Sequence, residues 1–436
     1  MEIRRSFWVF LLILLISLLG IFLTQAVLYY RIFYISLFII VISFVWTLIS
    51  IRGYRFNRYA RLPRQNVGQI LLEQFELQNV YPFVRVWAGI YDRCPMTGKT
   101  GSRVLAWIGP KEERSYISYS ILQRRGYYPL GPSELFSGDP LGLFKISKFF
   151  PPTQSLVILP YMVQLDKFLS PPGLLTGGRV IGRRTFEVTP QASSVREYTA
   201  GDPLNRIHWL TSMRRDRLMV KEFETDPRAD VWIFLDANDR IHATMEIGAV
   251  NIPPDEPFWK LKVDNKVQLP ADSFEYAVSI TGSIANYYIR QGKAVGFASV
   301  GKTMTVLPPE RGERQQNRIL ETLAFIECKG RMDLSALVAV QSPNLARGST
   351  VVMITTSDYP DISLAVDPIL RRSLKPVIIL LDASTFGGKR DSSHHLSRMS
   401  HMNVPILSVK YDENLKDRLE NGFGILPQPL TARWQP

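Results

Sequence analysis

The chain has 436 residues, and at roughly 100–200 residues per domain that length points to two or three domains. Hydrophobic residues make up 46%, enough for real cores, and the formal charge of +13 points to an anionic partner, either nucleic acid or a membrane surface. The two cysteines, Cys94 and Cys328, have no C-x-x-C neighbour, which excludes a zinc ribbon or a thioredoxin-type motif and fits a reducing compartment, with a single disulfide left open.

Phe7 to Leu23 reads FWVFLLILLISLLGIFL and Ile32 to Ile51 reads IFYISLFIIVISFVWTLISI, both without charge. Each is long enough to span a bilayer core of roughly 30 Å as a helix. A cleaved signal peptide is the rival for the first run, but no A-x-A-like site follows it and a second apolar run comes at once. Residues 1–62 therefore read as a two-helix transmembrane hairpin with a basic juxtamembrane segment. Arg4 and Arg5 precede the pair, Arg31 lies between the runs, and Arg52, Arg55, Arg58, Arg61 and Arg64 follow. By the positive-inside rule both termini and the soluble domains face the cytoplasm, with the lipid bilayer of the cell's inner membrane as the first partner. The five arginines recur every third residue, so on a helix they form a slowly drifting stripe at the membrane surface, able to touch anionic headgroups. The plainer reading makes them topology determinants alone.

Residues 63–160 read as a β-rich, sandwich-like module. ILLEQFELQNV, FVRVWAGIY, SRVLAWIG and RSYISYSI are short, partly alternating runs rich in β-branched and aromatic residues, bounded by Gly, Pro and polar clusters. TGKTGS (Thr97 to Ser102) lacks the glycine of a phosphate loop, since Arg93 stands five residues before Gly98, and reads as a hairpin turn. GDPLGLFK (Gly138 to Lys145) starts with the Asp-Pro of a turn.

Residues 161–228 read as a linker and a dense charged segment. TGGRVIGRR (Thr176 to Arg184) is glycine-rich and basic without the strand-to-helix pattern of a phosphate site. In REYTAGDPLNRIHW, Asp202-Pro203 has the chemistry of an N-cap and first helical position, predicting a helix from Pro203 to about Met213. That helix puts Arg206 and Trp209 on one face. His208 has Ser193, Ser194 and Asp202 at hand but no G-x-S-x-G elbow, so a packed or interface histidine is preferred over a catalytic one. MRRDRLMVKEFETD then turns into a strand, where Asp216, Glu222, Glu224 and Asp226 neutralise the bases locally and argue against nucleic acid.

Residues 229–436 alternate apolar runs (VWIFLD, KAVGFASV, STVVMITTS, PVIILLDAS, VPILSVK) with helical patterns (Ser273 to Gly292, Arg311 to Glu327, DPILRRSLK, ENLKDRLENG), the signature of an α/β doubly wound domain. Ligands of such sheets bind at the carboxyl ends of strands, where Asp236 opens DANDR. A von Willebrand factor A domain looks similar here, and its metal-adhesion site begins D-x-S-x-S. In this chain Asn238 and Arg240 replace the two serines; an amide oxygen can ligate Mg2+, whereas an arginine opposes it. The resemblance implies a further acid near Asp358. The fold without its metal is the default, so no cofactor is expected. The stretch 240–272 reads as a hairpin insertion over this end, carrying Phe258 and Trp259. His394, His395 and His401 have no carboxylate spaced to complete a metal set.

RRGYYPLGP with GDPLGLF, then REYTAGDPLNRIHWLTSMRRDRLMVKEFE, then VLPPERGERQQNRILETLA, in this order, resemble the domain-of-unknown-function-58 family of bacterial proteins over nearly the whole chain. The resemblance implies a membrane anchor, a von Willebrand A-like domain and a partner AAA+ ATPase of the MoxR type, with other membrane or envelope proteins as clients. It implies no reaction. The expectation is a non-enzymatic scaffold binding through Arg196, Tyr198, Asp202, Arg206, His208, Trp209, Arg214 and Glu222. The alternative is a metal-dependent hydrolase or transferase using Asp236, Asn238 and Asp358.

Overall fold

The computed structural model describes every residue except 25, 97–100, 170–191, 200–201, 203–206, 224–229, 246–268, 389–403 and 424–436. The chain divides into two compact units, the first built mainly on Met1–Tyr161 and the second on residues from Met162 onward.

In the first unit a short strand, β1 (Glu2–Ile3), leads into α1 (Arg5–Thr24) and α2 (Val27–Ser50). Both helices are long and apolar enough to cross a membrane. Their polarity is inside out: Trp8, Leu12, Leu19 and Phe22 face outward, whereas Ser17, Gly20, Ser36, Ser43 and Thr47 are buried. Small residues let two helices approach closely, and the hydroxyls are satisfied on their own backbone, as Thr47 Oγ1 donates to Ser43 O at 2.7 Å. Because α2 starts at Val27, Arg31 lies within its early turns rather than in the connection. A long arginine near a helix end can still carry its charge outward along its own stem.

Ten further strands complete this unit: β2 (Tyr54–Ala60), β3 (Arg64–Asn66), β4 (Ile70–Asn79), β5 (Arg85–Asp92), β6 (Arg103–Ile108), β7 (Glu113–Ile121), β8 (Gly126–Pro129), β9 (Ser133–Gly138), β10 (Phe144–Phe150) and β11 (Ser155–Leu159). They form sheets ordered β1-β10-β9-β5-β6, β2-β4-β7 and β3-β11-β8. The first two share a core of Tyr54, Phe75, Leu77, Ala88, Ile90, Ile108 and Leu135. On β4 every second residue, Leu71, Glu73, Phe75, Leu77 and Asn79, is buried, as a strand with one face inward requires.

The arginine stripe is corrected here. Residues 54–60 are a strand of the module, so the module begins before residue 63, and a spacing of three places successive arginines on opposite faces. Arg55 points out, as do Arg52 and Arg61, and Arg64 pairs through its backbone with Val157. Arg58 points in and is buried, so it cannot touch a membrane surface. Its Nε and Nη2 donate to the Glu73 carboxylate at 2.7 and 2.9 Å, and Nη1 and Nη2 to Asp92 at 2.9 and 3.1 Å. The guanidinium also lies over the Phe75 ring at 4.8 Å. Burial opposes the charge on Arg58, but the two carboxylates more than offset this and raise its pKa; burial likewise raises that of Glu73, against the pull of Arg58.

The sandwich is fastened to the hairpin at one end. Ile3 pairs with Phe144, and Arg4 N donates to Leu143 O at 3.1 Å. The first GDPL forms the turn beneath α1, where the Asp139 carboxylate accepts from the Leu143 and Phe144 amides at 3.1 and 2.7 Å. Phe144 packs against Phe7 and Phe44, with ring centroids 5.3 and 5.8 Å away. Arg85, at the start of β5, donates to Ile49 O at 2.8 Å and Arg52 O at 2.9 Å, tying the end of α2 to the sandwich. Cys94 lies in this unit as a buried thiol; neither it nor Cys328 forms a disulfide.

The second unit contains β12 (Ala192–Glu197), α3 (Trp209–Arg215), β13 (Met219–Phe223), β14 (Val231–Leu235), α4 (Ser273–Arg290), β15 (Val295–Val300), β16 (Met304–Glu310), α5 (Glu313–Phe325), α6 (Leu334–Gln341), β17 (Thr350–Thr355), α7 (Tyr359–Arg371), β18 (Lys375–Leu381), β19 (Ile406–Val409) and α8 (Leu415–Asn421). The main sheet is ordered β16-β15-β14-β17-β18-β19 and is parallel except for β16. β14 is buried along its whole length, as its continuous apolar run requires. Trp232, Phe234, Val351 and Met353 pack against α6 and α7, and the alternate residues Ile233, Leu235, Val352 and Ile354 are equally buried. β16 carries Pro308 and Pro309, tolerable because it is an edge strand. The helix expected at DPILRRSLK starts earlier, at Tyr359, and runs through Pro368. The ends of the 240–272 insertion are pinned together, with Thr244 bridged to Asp272 and Met245 N donating to Ala271 O at 2.8 Å. Phe258, Trp259, the glycine-rich 176–184 run and the 392–401 histidines lie outside the described residues.

Replacing Arg58 with methionine is expected to strand two buried carboxylates and lower the unfolding free energy of the full chain by about 3–5 kcal/mol. Denaturant unfolding in detergent measures it.

Candidate functional site

The sheet runs outward from β14 in two directions, to β15 and β16 on one side and to β17, β18 and β19 on the other. The carboxyl ends of β14 and β17 therefore form its topological switch point, where α/β folds place their ligands. Asp236 follows β14 and is 2% exposed. Its Oδ2 accepts from Thr355 Oγ1 at 2.7 Å and Ser357 Oγ at 3.1 Å, both at the end of β17, and its Oδ1 accepts from Asn238 N at 3.2 Å. Burial, against these hydrogen bonds, raises the Asp236 pKa to about 6, with the Asp361 charge adding to the rise.

Asn238 is equally engaged. Its Nδ2 donates to Asp333 Oδ1 at 2.9 Å, and its Oδ1 accepts from Arg240 N at 3.1 Å. Behind Asp236 sits His242. Its Nε2 lies 3.0 Å from Asp236 O and its Nδ1 2.9 Å from Ser273 Oγ. A carbonyl only accepts, so Nε2 carries the proton and Nδ1 accepts the serine hydroxyl. Burial lowers the His242 pKa to about 4.

The three residues expected to hold Mg2+ do not fit that ion as arranged. Asp236 spends both oxygens on protein donors, and the Asn238 amide oxygen faces a backbone N–H. Asp358 stands at the N-terminal boundary of α7, while the acid whose charge reaches Asp236 is Asp361, further along that helix. Among the described residues no group of three His, Cys, Asp or Glu is disposed to hold a metal. Thr355, Ser357, Asp333 and His242 were not singled out by sequence. The hydroxyl run TTS at the end of an apolar strand was a readable signal for the first two; His242 and Asp333 had none.

The charged segment is built differently from its expectation. Arg196 on β12 grips Asp202 with two bonds, Nη1 to Oδ2 at 2.8 Å and Nη2 to Oδ1 at 2.6 Å. Thr199 N and Oγ1 add two more, both at 2.9 Å. The Arg196 hydrogen bond, followed by these, holds the Asp202 carboxyl well below the usual carboxylate range. Asp202 is therefore occupied and does not cap the helix, which starts at Trp209. His208 is the cap: its Nδ1 accepts from Thr211 N at 3.1 Å and lies 2.8 Å from Thr211 Oγ1. This leaves His208 structural. Tyr198 N donates to Leu218 O at 2.8 Å, and Ser212 Oγ accepts from Met219 N at 2.8 Å, tying the helix to β13. Glu222 pairs in the ladder with Ser194, and Arg206 lies outside the described residues. Trp209 does not pack inward: it is 64% exposed, and Met213, one turn on, is 83% exposed. Leu210 and Leu218 are exposed beside them, with Arg214, Arg215 and Arg217.

Residues 194–246 match the model of a family described as "Protein of unknown function DUF58". The "Uncharacterized protein YeaD" of Bacillus subtilis (strain 168) is 24% identical over 333 residues, covering 74% of this chain and 75% of that protein. Among solved structures, the CARDB domain of a Pyrococcus furiosus protein, in complex with di-metal ions, aligns with 24% of this chain and 91% of its own at 11% identity and a TM-score of 0.17. An exo-β-N-acetylglucosaminidase from Vibrio harveyi aligns with 76% of this chain and 57% of its own at 7% identity and a TM-score of 0.18. At such TM-scores neither carries an argument about fold or activity.

Asp236 and His242 titrate in opposite senses over one pH window. The folded state holds a proton on Asp236 up to about pH 6, against 3.8 for the ordinary group, so this term loses stability as pH rises between those values. His242 resists protonation down to about pH 4, against 6.5, so its term gains stability as pH rises. Each amounts to about 3 kcal/mol and the two nearly cancel. Asp236→Asn removes the first and leaves the His242 term unopposed, so between pH 6.5 and pH 4 its stability is expected to fall by about 3 kcal/mol more than that of the parent chain. Chemical denaturation across that range is the measurement.

Proposed function

The chain belongs to the DUF58 family, and from that premise we propose that it is a membrane-anchored, non-enzymatic scaffold that docks an AAA+ ATPase of the MoxR type onto a membrane or envelope client. The observation that carries this reading is the outward face of α3. Trp209, Leu210 and Met213 form an exposed apolar cluster rimmed by Arg214, Arg215 and Arg217. Tryptophan and arginine around an apolar centre are the composition of an interface hot spot. The cluster lies inside the 194–246 family match, and its helix is capped by His208 and braced through Ser212 to Met219.

Four further observations support the rest of the reading. The sheet order, with β14 central and an antiparallel edge, and the Asp236-x-Asn238 turn at its switch point favour a von Willebrand A-like domain serving as a binding platform. At that switch point Asp236, Asn238 and His242 are each engaged by protein donors or acceptors. The inside-out polarity of α1 and α2 favours a bilayer-spanning hairpin. Arg4, Arg5, Arg52 and Arg55 at one end, against Arg31 near the other, favour a cytoplasmic position for both termini.

Trp209→Ala combined with Met213→Ala is expected to cut co-purification of the MoxR-type ATPase from detergent extract by at least about 10-fold, the effect of losing a hot spot. Both side chains are exposed, so the melting temperature should not move. Undiminished co-purification sinks the docking role.

A further inference from the structure

Two loops crowd the end of the sandwich from which the helices leave. Residues 80–84, Val-Tyr-Pro-Phe-Val, join β4 to β5, and 109–112 join β6 to β7. Asn79, fully buried at the end of β4, knits them together: its Nδ2 donates to Phe83 O at 2.8 Å and Gly109 O at 2.9 Å, and its Oδ1 accepts from Tyr81 N at 3.1 Å. Lys111 N donates to Tyr81 O at 3.2 Å. The first loop is also bound to the end of α2. Val80 N donates to Gly53 O at 2.8 Å, and the Arg85 guanidinium that caps α2 lies 5.2 Å from the Tyr81 ring centroid. Gly53 has φ +76 and no side chain, and the Tyr81 ring fills the space a Cβ would need.

What these well-anchored loops show to solvent is apolar. Phe83 is 56% exposed and Trp107, at the end of β6 beside Arg85, is 67% exposed; Val80, Tyr81 and Val84 are exposed with them. Across the hairpin, Leu141 in the turn beneath α1 is exposed too. Arg52, Arg55 and Lys111 are exposed at the same level.

We propose that this rim is a lipid-contact collar: Tyr81, Phe83 and Trp107 seat in the headgroup region of the leaflet from which the hairpin emerges, with Arg52, Arg55 and Lys111 on anionic headgroups. The proposal rests on the reading that α1 and α2 cross a bilayer. If they do, the apolar part of α2 ends at Ile51, and loops hydrogen-bonded to Gly53 lie at the interface. Aromatic rings and basic side chains are what that layer favours. The rim is tied to Gly53, a few residues beyond the exposed Trp46 and Ile49 of α2, which favours the bilayer over a protein as its occupant. The collar adds a membrane contact to the hydrogen bonds that already fasten the sandwich to the hairpin.

The test uses the full chain in nanodiscs of phosphatidylcholine and phosphatidylglycerol, with Cys328→Ser removing the partly exposed thiol. Cysteines introduced one at a time at Phe83→Cys, Trp107→Cys, Leu72→Cys and Leu15→Cys, beside the buried Cys94, carry a polarity-sensitive dye, and the lipids carry a nitroxide either near the headgroup or deep in the chain. Leu72 is an exposed residue on β4, about 23 Å from Asn79 at a strand's rise per residue. Probes at 83 and 107 are expected to be quenched at least about 3-fold more by the shallow nitroxide than the probe at 72, and the probe at 15 by the deep one. Quenching at 83 and 107 no greater than at 72, with 15 still quenched, overturns the collar and leaves the spanning hairpin standing. A blue-shifted but unquenched dye at 83 reports a protein covering the loop and also overturns it. Loss of quenching at 15 removes the spanning helices and the collar together.

Discussion

The last carbonyls of a helix face outward and can accept hydrogen bonds from beyond it, and in this protein one arginine reaches two carbonyls at the end of α2. Arg85 opens a strand of the sandwich and gives its guanidinium to the carbonyls of Ile49 and Arg52. That contact makes the end of α2 part of the sandwich. The pairing of Ile3 with Phe144 and the turn built on Asp139 do the same for the start of α1. The hairpin and the sandwich are thereby one unit, and the loops around the joint take their positions from it.

A second buried arginine holds the sandwich itself. Arg58 sits between Glu73 of one sheet and Asp92 of the other, so the two sheets are cross-linked by charge as well as by apolar contact. Such a triad contributes less to stability than its short distances suggest, because removing three charges from water is costly. Its effect is selective: a register slip of one residue would bury Arg55 and Arg61-side neighbours without partners and expose Arg58.

The second unit uses the same rule at the end of a parallel sheet. Asp236, Asn238 and His242 are buried polar groups, and each finds its partners among neighbouring hydroxyls, amides and carbonyls. A closed network of this kind positions loops. On α3, Trp209, Leu210 and Met213 stand exposed above a turn capped by His208 and braced to Met219 through Ser212. In this segment an acid and a base pair with each other, Asp202 with Arg196, while His208 caps the helix.

Long-period information was legible in the chain by itself. Uninterrupted apolar runs determined the hairpin, alternation determined a β-rich module, and apolar strands between amphipathic helices determined the α/β sheet, because each pattern admits one way of burying its apolar surface. Tertiary structure decided what depends on which neighbour arrives. Arginines spaced by three read alike on a helix and a strand, and only the pairing of β2 with β4 turned Arg58 inward toward Glu73. Asp202 had capping chemistry, but Arg196 claimed the aspartate, and the helix starts instead at Trp209 with His208 as its cap. Asp236 was visible as the acid at a strand's end, but Thr355 and Ser357 reach it from more than a hundred residues away. Hydrogen bonds across such separations leave no periodic trace in a sequence, which is why the elements could be read from it and their partners could not.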